Sequence, residues 1–206
     1  MTMLISVGIM LSCSTPHSYA GGKALQPPPR QRTTTAPDKN KPDSKINVPD
    51  VEVLNQDGKP IKFYTDLVAG KLAFVSFMFA TCEESCPMLG ENLARLQGLL
   101  GDRLGKDVSL ISVSLDPEND TPERLKAWGK MFGARSGWTF ITGRKNDIDR
   151  IIKAFTGGAT GKGEHTPIVF IGSAEKGVWI RAFGLTEPSR LVRLIDQAAA
   201  APPNPK

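Results

Sequence analysis

Residues 71–87 read KLAFVSFMFATCEESCP. Lys71 to Phe79 is a continuous apolar run of strand length with no polar alternation, the pattern of a strand covered on both sheet faces. Beyond it, Leu89, Leu93, Leu96 and Leu100 recur at three- and four-residue steps and predict a helix from Cys86 to Leu100. Cys82 and Cys86 fall between the two elements, outside the carboxyl end of a strand, where α/β sheets form their sites. Thiols four residues apart on a first helical turn share one face, and the free N–H groups there lower thiol pKa values. The spacing therefore predicts two thiolates aimed at one point. Such a soft pair selects soft metals, Cu(I) above all, or closes a disulfide on oxidation. The competing reading, two cysteines merely packed in a core, fits a strand-to-helix junction poorly.

Outward from this stretch, short β-type runs alternate with helical ones. Val48 to Leu54 reads as a strand ending in the turn Asn55 to Gly58, and Val108 to Leu115 as a second buried strand. Thr121 and Pro122 supply a cap and a first helical residue for a helix reaching Phe132. Trp138 to Ile141 is a strand and Asp147 to Phe155 a helix. Ile168 to Ile171 and Val178 to Phe183 form a hairpin, and Pro188 to Ala199 is the closing helix. This order implies an α/β fold with a mixed sheet and helices on both faces.

The chain has 206 residues, 40% hydrophobic and 23% charged, with no apolar run long enough for a membrane span. Its formal charge of +5 is not on the folded part. Residues 21–47 hold six Lys/Arg against two Asp, whereas residues 48–206 hold twenty against nineteen acidic residues, so no nucleic-acid surface is expected. Residues 1–20 carry no Lys, Arg, Asp or Glu, and Met3 to Leu11 has the length of a signal-peptide apolar region. Ser18-Tyr19-Ala20 has the small-x-small form of a cleavage site, while Leu11-Ser12-Cys13 is a poor lipid-attachment box. Export of the chain is the expectation, with Cys13 discarded or lipid-modified. Residues 21–47, rich in Pro, Lys, Thr and Asn, predict a flexible linker, and 201–206 a disordered tail. The folded domain is expected over 48–200.

Only two histidines occur, and His17 leaves with the leader. His165 ends the Gly-rich segment Thr156 to His165, which delivers it toward the strand Ile168 to Ile171. Two thiolates and an imidazole suit Cu(I) and can accept a further ligand as Cu(II), whereas a structural zinc site needs a fourth ligand from a second cluster. Asp116, Asp120, Glu83 and Glu84 surround the same region; the aspartates read as turn and helix-start residues, with an acidic rim as the alternative. Met78, Met88, Trp128 and Trp138 read as core or pocket packing.

FMFATCEESCPML, SVSLDPENDTPERLKAW, GWTFITG and the distal His165 together resemble the Sco/SenC family of copper-binding thioredoxin-fold proteins, over about residues 46 to 197. The resemblance implies a thioredoxin-like domain on the outer side of a membrane, periplasmic or otherwise extracytoplasmic and monomeric, with copper bound by Cys82, Cys86 and His165. It implies a role in maturing the binuclear copper centre of cytochrome c oxidase, the partner being the copper-site subunit or another copper chaperone. Thiol-disulfide exchange through Cys82 and Cys86 is the alternative chemistry. Family members often carry a membrane anchor, and here release or lipid anchoring would replace it. Thr166-Pro167 resembles the cis-proline turn of thioredoxins, and a cis bond there would favour thiol chemistry, a trans bond a plain strand start.

Overall fold

Seven strands form one mixed sheet in the order β2-β1-β5-β4-β3-β6-β7. The structure is a computed structural model describing residues 46–158 and 166–204. The strands are β1 (Glu52–Asn55), β2 (Pro60–Lys62), β3 (Leu72–Met78), β4 (Val108–Ser114), β5 (Trp138–Thr142), β6 (Ile168–Ser173) and β7 (Val178–Phe183). The helices are α1 (Ser85–Leu100), α2 (Pro122–Met131), α3 (Lys145–Thr156) and α4 (Pro188–Ala200). Strands β3, β4 and β5 run parallel at the centre, and β6, β7, β1 and β2 complete the sheet in antiparallel pairs.

The apolar run identified in the sequence is β3, and its lack of alternation has the expected cause. Phe74 and Met78 face a core built with α1, α2 and α4, while Ala73, Val75 and Phe77 face a second core closed by α3 and a π-helical turn at Phe63–Val68. Both faces are covered, so every β3 residue from Ala73 to Met78 is buried. Ser76, polar in that run, is satisfied by the Ser112 hydroxyl at 3.0 Å, which also accepts the Trp138 indole N–H at 3.0 Å.

Three local readings need correction. The first strand begins at Glu52 rather than Val48, although Ile46 and Val48 pack against the second core. Strand β2 carries a single apolar residue between Pro60 and Lys62, too little pattern to detect, and is held by pairing with β1 and by Ile61 packing on the second core. The prolines do end α4 at Ala200, but the tail is not free through residue 204. The Asn204 amide donates to the Lys176 carbonyl at 2.8 Å, and its side chain to that of Gly177 at 2.7 Å.

At Gly172, on β6 beside β7, the paired strands leave no room for a side chain. A Cβ there would lie 2.0 Å from the Val178 carbonyl oxygen and 2.9 Å from the Trp179 Cα. Backbone cannot swing aside as a side chain can, so Gly172→Ala must part the two strands. We expect a loss of about 3–5 kcal/mol, the upper range for single substitutions. A urea unfolding midpoint unchanged in Gly172→Ala would contradict this packing.

Candidate dithiol site

Strand β3 ends at Met78, whose carbonyl accepts the Leu115 amide at 2.8 Å, and the chain then turns so that the Cys82 amide reaches the Phe79 carbonyl at 3.1 Å. This turn is tied to the β4–α2 loop. The Ala80 amide donates to Asp120 Oδ1 at 3.1 Å, and the Ser114 hydroxyl donates to the other carboxylate oxygen. Asn119 in turn donates to both oxygens of Asp116 at 3.0 Å. Asp116 and Asp120 are both buried, so they form an internal brace and not an acidic rim. Burial pushes the Asp120 carboxyl up, against the bonds from Ser114 and Ala80 that pull it down.

Cys82 precedes α1 rather than lying in its first turn, and Cys86 is the second helical residue. The helix has no side-chain cap of the ordinary kind at Glu84. Instead the Cys86 amide donates to Cys82 Sγ at 3.4 Å, so sulfur takes an N-terminal N–H that water would otherwise serve. Cys86 itself turns into the core with Leu89 and Met78 and is fully buried, while Cys82 is partly exposed.

The two sulfurs sit in unlike surroundings. For Cys82, burial raises the thiol pKa, but hydrogen bonds from the Cys86 thiol and amide, the Glu84 amide and Ser85 outweigh it and leave the value lowered. Burial pushes Cys86 up to about 12, helped by its bond to Cys82 and by that sulfur's charge. The helix end serves one sulfur only, because the other has already turned inward. Both cysteines are free, at one point beyond the carboxyl end of β3.

His165 lies outside the described residues. The chain resumes at Thr166, at the start of β6, which pairs antiparallel with β3 and so begins at the same sheet end as the thiol turn. The Thr166–Pro167 bond is trans, which removes the reason a cis proline would have given for favouring thiol chemistry. Pro167 is buried, and its carbonyl accepts the Gly184 amide at 2.6 Å. Met78, Trp128 and Trp138 are core residues as expected, but Met88 is exposed. Among the described residues no three Cys, His, Asp or Glu side chains converge as a metal cluster. The two sulfurs do fit a soft ion, being adjacent, polarizable and reached from solvent through Cys82.

The sequence placed Asp120 around this site but did not show that its carboxylate holds the Ala80 amide. The signal for such a brace was present in Ser114, Asp116 and Asp120 following a buried strand, where polar residues must pair with something. Asp120→Ala strands the Ala80 amide and the Ser114 hydroxyl, and we expect a stability loss of about 2–4 kcal/mol. A chemical denaturation curve superimposable on that of the unchanged protein would show that the brace carries no load.

Residues 40–192 match the family model described as SCO1/SenC. A SCO1 homologue of Bacillus subtilis is 36% identical over 90 residues, 43% of this chain and 45% of that protein. The chain spans about half the length of the first curated relatives it matches. Among solved structures, a SCO1/SenC family lipoprotein from Bacillus anthracis is 27% identical, with a TM-score of 0.64 over 77% of this chain and 98% of that one. BsSco, described as having a disulfide switch and as one of the Sco family of cytochrome c oxidase assembly proteins, is 24% identical, with a TM-score of 0.62 over 74% and 93%. Bradyrhizobium japonicum ScoI, solved with copper bound, is 18% identical with a TM-score of 0.58 over 77% and 98%, a likeness of thioredoxin-like fold.

Proposed function

Because the chain belongs to the SCO1/SenC family, we propose that it carries copper on Cys82 and Cys86, with His165 as third ligand, for maturation of the binuclear copper centre of cytochrome c oxidase. The observation that carries the reading is the dithiol itself: a Cys86 amide 3.4 Å from Cys82 Sγ puts both sulfur-bearing residues at one point of the sheet end. His165 immediately precedes Thr166, which begins at that same end. The partner is the copper-site subunit of the oxidase or another copper chaperone. The chain acts outside the cytoplasm, released or lipid-anchored, with residues 1–20 as leader, 21–47 as tether and 48–200 as the working domain. Likeness to a lipoprotein supports that location.

Ligand roles differ by oxidation state. Two soft thiolates can hold Cu(I) linearly, whereas Cu(II) needs nitrogen and further ligands. His165→Ala is therefore expected to weaken Cu(II) by more than about tenfold while changing Cu(I) by less. Competition titrations with both ions, read with the thiolate-to-Cu(II) absorption band, test this, and equal weakening of the two ions would remove His165 from the ligand set.

A second reading, thiol-disulfide exchange on a partner's cysteines, is favoured by the asymmetry of the pair. Cys82, partly exposed and of lowered pKa, is placed to attack, and the buried Cys86 to resolve the mixed disulfide. Cys82→Ser abolishes this activity on a disulfide peptide; retained activity would end the reading.

A further inference from the structure

Two consecutive peptide planes hold the turn that carries Cys82, and each links one cysteine to the β4–α2 loop. A trans peptide is rigid, so its carbonyl and the following amide can only turn together. In the first plane the Met78 carbonyl accepts the Leu115 amide at 2.8 Å, and the Phe79 amide donates to the Cys86 sulfur. In the second the Phe79 carbonyl accepts the Cys82 amide at 3.1 Å, and the Ala80 amide donates to Asp120 Oδ1 at 3.1 Å. Main chain anchors the first plane. A side chain, that of Asp120, anchors the second.

Asp120 is built to stay in place. Its own amide donates to the Asp116 carbonyl at 2.8 Å, its other carboxylate oxygen takes the Ser114 hydroxyl, and the adjoining Thr121 caps α2 by accepting the Arg124 amide at 3.3 Å. The residue is 1% exposed, so water does not compete for the Ala80 amide, and a carboxylate holds an amide more strongly than a neutral acceptor does. What the turn covers matters as much. Phe79, Ala80 and Cys82 all pack against the first core, in which Cys86 is buried.

We propose that Asp120 is a positioning residue for the dithiol: by pinning the Phe79–Ala80 peptide it keeps Cys82 at the surface and Cys86 sealed beneath the turn, and so maintains the unequal reactivity of the two sulfurs. With the Ala80 amide released, the peptide rotates, its carbonyl leaves the Cys82 amide, and the cover over Cys86 opens. The role rests on the cysteine pair being the working site. It applies to copper binding and to disulfide exchange alike, since both need one sulfur within reach and the other close behind it.

The test is timed iodoacetamide labelling of the reduced, metal-free full chain, with each cysteine read by mass spectrometry. In Asp120→Ala the ratio of the Cys82 rate to the Cys86 rate should fall about tenfold or more, the worth of one hydrogen bond to a charged group. Asp120→Asn keeps an oxygen for the Ala80 amide and should hold the ratio within about twofold. Gly172→Ala, a destabilised variant altered where β6 pairs with the start of β3, should hold it as well. A second measurement needs no variant: in the unchanged protein the Ala80 amide should exchange with deuterium about a hundredfold more slowly than in an unfolded chain. A ratio unchanged in Asp120→Ala, an equal fall in Gly172→Ala, a collapse in Asp120→Asn, or an unprotected Ala80 amide would each overturn the proposal. Copper retained by Cys82→Ser would instead remove the copper reading and leave these rates as they are.

Discussion

Cys82→Ser lowers Cu(I) affinity by about a thousandfold, the largest effect expected of any single substitution in this chain. Taking structural Zn²⁺ sites as the scale, about 10–16 kcal/mol is shared over a few ligands, so one sulfur is worth roughly 4 kcal/mol, or three powers of ten. Serine preserves size and the capping contact with the Cys86 amide, so the fold survives and the loss reports ligation alone. The Cys86 proton gives the effect a pH signature. With its pKa at about 12 in the metal-free protein, Cys86 must lose a proton when copper enters. Apparent Cu(I) affinity therefore rises with pH through neutrality, about tenfold per unit per proton released. An affinity independent of pH between 6 and 8, or a Cys82→Ser protein that binds Cu(I) as well as the unchanged one, would contradict two-sulfur ligation.

The second large effect is chemical selectivity within the pair. At neutral pH a group of pKa about 12 is thiolate to only about one part in 10⁵, and Cys86 is fully buried besides. Cys82 has a lowered pKa and partial exposure. Iodoacetamide should thus label Cys82 more than about a thousandfold faster than Cys86, with mass spectrometry of the timed digests as the readout. The same asymmetry enters stability. Cys86 has a folded pKa above its unfolded value, near 8.5 for an ordinary thiol, so the unfolded chain releases its proton first. Its contribution is complete below about pH 8.5 and is lost as pH rises toward 12. Cys86→Ser should flatten that alkaline decline. Equal labelling of both cysteines would mean that the second sulfur is not sequestered in the core.

Much of this fold could be read from periodicity, because its central strands are buried on both faces and its helices carry regular apolar stripes. The runs 71–79 and 108–115, the cap Thr121-Pro122 and the stripe from Leu89 to Leu100 all correspond to elements within a residue or two. Strand β2 and the π-helical turn after it were invisible for the opposite reason: they are held by tertiary partners. Asp50 accepts the amides of Tyr64 and Thr65 from fourteen and fifteen residues away. The site was legible as residue types and less so as physics. Sequence spacing located Cys82 and Cys86 at the strand-to-helix junction with Cys82 the more exposed, but not that Cys86 is fully buried in the core. With α1 starting at Ser85, Cys82 stays in the preceding turn while Cys86 faces Leu89 and Met78. Asp120 was read as a helix-start residue, since nothing local reveals that its carboxylate reaches across to Ala80.

Copper and a Cys82–Cys86 disulfide compete for the same two sulfurs, and this gives the most direct measurement. The reduction potential of the pair is titrated anaerobically with and without buffered Cu(I). A ligand that binds only the dithiol stabilises it by RT ln(1 + [L]/Kd), about 4.1 kcal/mol at a thousandfold excess over Kd. For a two-electron couple that raises the apparent potential by about 90 mV. A shift of that size, growing with free Cu(I), is the predicted result. Identical potentials in the two titrations would contradict copper binding through both sulfurs.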